Sequence, residues 1–217
     1  MKHSGLVLSL ALALVSTTAL AADRGAGARL LEAAKKGDDA TVQYLLAHGV
    51  SPAQRTRSGD TPLIIAAENG YLDVAKDLLA KGADVNAQSK AWVTPLIAAA
   101  YYGHRAMERM LLDKGARIDM LDQIQKNAII YAAANGHTGI VEDLLDRGVN
   151  VNARYANELT ALMWAAGYGK MDTVRLLVTR GADVSARDNR GKTAYVIAQE
   201  QGYKTVAALL KSGHAQR

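Results

Sequence analysis

No cysteine occurs among the 217 residues, which excludes disulfides, a thiolate metal site and a thiol nucleophile. It also excludes a lipoprotein, whose anchor needs a cysteine just after the apolar core of an export signal. Long hydrophobic runs are missing: the apolar stretch at residues 6–15 is about half of the roughly 20 needed to cross a bilayer. Catalytic signatures are absent as well, with no Gly-x-Ser-x-Gly, no His-Glu-x-x-His and no phosphate loop. Gly25-Ala26-Gly27 has the start of a dinucleotide fingerprint, but no predicted strand precedes it and no third glycine follows. These absences point away from an enzyme, with no catalytic, cofactor or metal residues expected.

What is present begins with an export pattern. Lys2 and His3 make a basic start, residues 6–15 an apolar core, and Ala19-Leu20-Ala21 places alanine at the two positions a signal peptidase reads. Residues 1–21 are therefore read as a cleaved signal peptide, with a retained anchor as the alternative, and 22–27 as a flexible segment. An exported, unlipidated chain without cysteine fits the bacterial periplasm, with secretion beyond the cell as the second choice. No membrane insertion is expected after cleavage.

The rest of the chain repeats itself every 33 residues. Thr61-Pro62-Leu63, Thr94-Pro95-Leu96, Asn127-Ala128-Ile129, Thr160-Ala161-Leu162 and Thr193-Ala194-Tyr195 follow at that step, as do Gly70, Gly103, Gly136, Gly169 and Gly202. A fixed period in the range of about 20–50 residues marks a stacked repeat protein, which acts through an extended surface. Within one unit, Thr61 can cap a helix and Pro62 suits its first position. Leu63, Ala66 and Ala67 form a face of small apolar residues, and Gly70 ends the helix. Val74, Ala75, Leu78 and Leu79 then have the spacing of a second amphipathic helix, closed by Gly82.

Thr-Pro-Leu-x-x-Ala-Ala-x-x-Gly at 61–70, with Leu-Leu-x-x-Gly-Ala-Asp-Val-Asn-Ala at 78–87, resembles the ankyrin repeat. In register, the pattern gives six units over residues 28–213, the first and last acting as caps, and a tail at 214–217. The resemblance implies an all-α repeat solenoid of helix-turn-helix units joined by β-hairpin loops, and a non-enzymatic role in protein binding. The family's usual histidine after Thr-Pro-Leu is replaced by Ile64, Ile97, Ile130, Met163 and Val196, so apolar packing is expected in place of polar ties between units.

By the same resemblance, hairpin tips at 55–60, 88–93, 121–126, 154–159 and 187–192 and the first helices form a concave binding face. The family's glycine two residues before the cap is present as Gly59 and Gly191 but replaced by Trp92, Gln125 and Glu158 in the three central tips. Trp92, Tyr101 and Tyr102 are read as contact residues, since Tyr and Trp are favoured anchors of interfaces. Ile124, Gln125 and Tyr168 share that surface. Tyr131 and Trp164 fit either contact or packing between units. The tips are basic, and Arg57, Lys90, Lys126 and Arg190 are read as orienting charges for a partner protein with an acidic surface. Charged tips would equally keep the loops soluble.

A net charge of +4 spread over the separate tips does not suggest nucleic acid. His104 and His137, one per unit, are read as structural, and His48 as a helix-end interaction. Asp73, Glu142, Asp143 and Asp172 fall on second helices, where solvated faces are expected. A monomer is expected. Small exported ankyrin proteins of bacteria, which the chain resembles, include some linked to stress-defence enzymes such as catalase. A secreted effector binding a host protein is the alternative.

Overall fold

The computed structural model describes residues 25–214, all of whose regular elements are helical. Residues 1–24, which include the expected signal peptide at 1–21, and the last three residues lie outside them. Helix α1 spans residues 25–36 and pairs with α2 (Asp39–Ala47). Five further pairs follow: α3 (Pro62–Asn69) with α4 (Leu72–Ala80), α5 (Pro95–Tyr102) with α6 (Arg105–Asp113), and α7 (Ala128–Asn135) with α8 (Thr138–Asp146). The last two are α9 (Ala161–Gly167) with α10 (Met171–Thr179), and α11 (Ala194–Glu200) with α12 (Lys204–His214).

The start of each first helix follows from its cap. Thr61, Thr94, Asn127, Thr160 and Thr193 each accept a bond from the backbone N–H three residues on, at 3.2–3.4 Å. Pro62 and Pro95 stand at the first helical position, where a missing N–H is harmless. Gly70, Gly103 and Gly136 end their helices in the left-handed conformation.

First helices pack on one another in an inner row from α3 to α11, and second helices form an outer row. Leu63, Ile64, Leu96, Ile129, Ile130 and Leu162 are buried in one continuous core between the rows. The apolar replacements of the family's histidine thus pack as expected, Val196 at the end being only half-buried. Polar ties persist all the same, moved to the residue after the glycine. His104 Nε2 lies 3.0 Å from the Glu68 carbonyl and His137 Nε2 3.0 Å from the Tyr101 carbonyl, each one unit back. Each ring occupies the space that a side chain on Gly70 or Gly103 would fill. His48 contacts the Tyr44 carbonyl at its helix end, at 2.7 Å.

Two expectations are corrected. Helix α1 takes in Gly25-Ala26-Gly27, expected to be flexible: Ala26 packs on the core and Gln54 lies against Gly27, where a Cβ would stand. The loops carry tight turns, and no strand occurs among the described residues. Each turn is closed by main-chain bonds within five residues, as from Ser89 N to Val93 O and Trp92 N to Ser89 O, both at 3.0 Å. Single bonds between neighbouring tips (Lys90 N to Ser58 O, Gln123 N to Ala91 O, Asn189 N to Asn157 O) fall short of a ladder.

Candidate functional site: the concave groove

Groove-facing positions on the inner row change from unit to unit. Ile65, Ala98, Tyr131, Trp164 and Ile197 occupy one repeat position, and Asn69, Tyr102, Asn135, Tyr168 and Gln201 another. The aromatic members gather at the centre. Tyr102 meets Tyr101 edge-on at 4.8 Å between ring centres, and Tyr101 meets Tyr131 at 5.4 Å. Lys126 reaches from its tip over both neighbours, its ammonium 5.5 Å from the Tyr131 ring and 4.0 Å from Trp164. Trp164 stacks with Tyr168 at 6.0 Å. One row therefore runs across α5, α7 and α9: four tyrosines, one tryptophan and a lysine bridging the gap.

The row is open at its two ends and half-buried in its middle. Tyr101, Tyr102 and Tyr168 are about half open to solvent, at 45–53%. Tyr131 and Trp164 are half-buried: Trp164 packs against the core and Tyr131 against Tyr101 one unit back, so both join packing to groove wall. Tyr131 is held further by its hydroxyl, which donates to the buried Asp122. Burial first, then that carboxylate, push its phenol pKa up, so it remains a neutral donor.

Asp122 was not apparent as a site residue from sequence pattern. Its other oxygen accepts from Ile124 N at 3.0 Å and Lys126 N at 2.9 Å, which fixes the tip that carries Lys126. The available signal is positional: Thr56, Ser89, Asp122 and Asp188 recur at one tip position, each able to accept from a turn N–H. Glu68 is the other residue missed. It lines the groove beside Tyr101 and Tyr102, and burial, with Asp60 nearby, raises its carboxyl pKa.

The structure leaves the remaining predicted residues at the tips. Trp92 is 49% exposed and Ile124 60% exposed, and Trp92 makes no ring contact among the described residues. Trp92, Gln125 and Glu158 adopt φ of 60–62°, the left-handed region that favours the glycine they replace, and Asn157 does so too. Arg57 and Lys90 are exposed, while Arg190 is held by Asp188 at 2.7 Å and lines the groove beside Trp164. Part of the basic rim is internal wiring: Arg55 donates to the Gly59 and Gln88 carbonyls, and Arg154 to that of Arg187.

The convex face is wired differently. Asp143, expected to be solvated, is mostly buried and gripped by both Arg105 and Arg109, at 2.6–2.9 Å. Hydrogen bonds from Arg105 and then Arg109 hold its carboxyl well below the usual range against the pull of burial. Arg147 to Asp113, and Arg180 to Asp146 and Glu142, continue the cross-links between units. Charge on the outer helices is thus largely matched within the chain.

A stack of helix pairs with an aromatic groove and projecting turns defines a class of binding repeat. The sequence model described as "Ankyrin repeats (3 copies)" matches residues 25–89, 88–155 and 129–216. The chain belongs to the ankyrin-repeat family, whose repeats are generally protein–protein interaction modules. A search of curated proteins gave no match. Among the described residues, no helix is long and apolar enough to cross a membrane.

Proposed function

We propose that this chain is a non-enzymatic binding protein of the bacterial periplasm that recognises a partner protein through its concave groove. One observation carries the reading: Tyr101, Tyr102 and Tyr168 stand about half exposed in an ordered row, on helices whose opposite side is buried core. Exposed aromatics held in fixed positions cost little order on association and serve as interface anchors. The export pattern of residues 1–21 supports the compartment. Resemblance to small exported ankyrin proteins supports a stress-defence enzyme such as catalase as the class of partner.

Cross-linking and pull-down from native periplasm test this, comparing wild type with the Tyr101→Ala, Tyr102→Ala, Tyr168→Ala triple variant. Loss of about 2 kcal/mol or more of binding is expected with the melting temperature nearly unchanged. A comparable fall in melting temperature would make these residues core elements and remove the site. Retrieval of a haem-containing enzyme is read from its visible absorption, and a partner lacking it defeats the catalase assignment. Fractionation locates the chain: release into the medium favours a host-directed effector instead.

A further inference from the structure

Two clefts open along the groove, and their positions define what can fill them. The first exists because Ala98 is small where later units carry Tyr131 and Trp164; Tyr101, Tyr102 and Val93 help wall it, enclosing about 200 Å³. The second lies over Gly167, walled by Trp164, Tyr168 and Ile197, and encloses about 270 Å³. Each is shaped for a bulky apolar side chain. They stand two units apart, so with helices packed about 10 Å apart their separation is roughly 20 Å. An extended chain rising about 3.3 Å per residue covers that in about six residues.

Between the clefts stands Lys126. Its ammonium rests over two rings, and no carboxylate of this chain pairs with it among the described residues. A cation on aromatic faces retains donors for an incoming anion, and the rings fix where that anion must come. Beyond Trp164, Arg190 is already paired with Asp188, and at the opposite end Glu68 lines the first cleft. Charge along the groove therefore favours acid at the middle of an occupant.

We propose that the groove binds an extended segment of a partner protein with two bulky apolar side chains about six residues apart and a carboxylate between them facing Lys126. This rests on the concave-face reading and adds to it the chemistry of the segment. A phage-displayed library of random peptides about twelve residues long, panned on the full chain, tests it. Selected peptides should share two bulky apolar positions at that spacing, with Asp or Glu between them. Tyr168→Ala should weaken them about tenfold. Lys126→Glu should weaken them at least as much and, on repeated panning, turn the middle position from acidic to basic.

Peptides that need Tyr168 but show neither the spacing nor the acidic middle overturn this proposal and leave the concave-face reading standing. An unchanged middle preference after Lys126→Glu overturns the pairing with Lys126. Recovery of no groove-dependent peptide overturns the extended-segment proposal, and the periplasmic pull-down then decides the concave-face reading separately.

Discussion

Glu108 sits where every other helix pair carries valine or alanine: Val42, Ala75, Val141, Val174 and Ala207 share its repeat position, all buried. It is itself 0% exposed, and neither carboxylate oxygen has a hydrogen-bond partner. Burial, and secondly the nearby Asp143, push its pKa up to about 8, while Arg109, Arg105 and Arg147 oppose the shift. A carboxyl with a raised folded pKa is protonated more readily in the fold than in the unfolded chain. Its proton-linked stability is therefore complete below about pH 4.5, declines as pH rises towards 8, and is flat above. Glu108→Val should stabilise the protein by about 2 kcal/mol at pH 8, after allowance for solvent screening, and by far less at pH 4.5. Thermal melts of both proteins across that range check it; an equal gain at both pH values would show that the acid is not the cause. Trp92 is a second residue at odds with its backbone. Its φ of 62° is glycine's territory, so Trp92→Gly should raise stability by up to about 1 kcal/mol while removing an exposed ring. Denaturant unfolding measures this, and a loss would show that the indole supports its turn.

At the scale of elements, the turns are the least regular part of the molecule. Main-chain bonds join the first tip to the second, the second to the third, and the fourth to the fifth. Among the described residues none joins the third to the fourth, where Ala156–Glu158 winds into a short 3-10 turn and Asn157 and Glu158 both have positive φ. That gap adjoins Lys126, so the groove is least stitched where its cation stands. The amide of Ala156 should exchange with solvent at least about tenfold faster than those of Lys90, Gln123 and Asn189, its repeat equivalents. Hydrogen exchange read by NMR checks this, and equal protection would mean that the tips form one continuous strip. Helix pairs and caps were legible in the sequence because threonine, proline and glycine act locally, at positions that recur every 33 residues. The missing glycine at Trp92 was legible for the same reason, and its turn keeps the positive φ. The row from Tyr102 to Tyr168 was legible only as separate aromatics. What unites it is Lys126 crossing from a loop to the next unit's Trp164, a contact 38 residues apart that no local pattern encodes. The helical state of residues 25–27 also escaped, because it depends on Gln54 and the core beneath Ala26.

Across the whole molecule, charge is divided between two faces that use it differently. Outer helices match arginine to carboxylate from unit to unit, as in Arg109–Asp143, Arg147–Asp113 and Arg180–Asp146. The groove and its tips keep Arg57, Lys90 and Lys126 without an ion pair among the described residues. Mostly exposed ion pairs contribute about 0–1 kcal/mol each, and the stack is held mainly by its apolar core. Salt should therefore separate the two faces. Raising sodium chloride from about 0.05 to about 0.5 M shortens the screening length to a few ångströms and should weaken an acidic groove peptide about tenfold, while the melting temperature moves by no more than a few degrees. Anisotropy titrations and melts on the same samples test both halves. Parallel loss of binding and stability would mean that the outer ion pairs hold the groove in shape. Binding indifferent to salt would mean that the basic tips only keep the loops soluble.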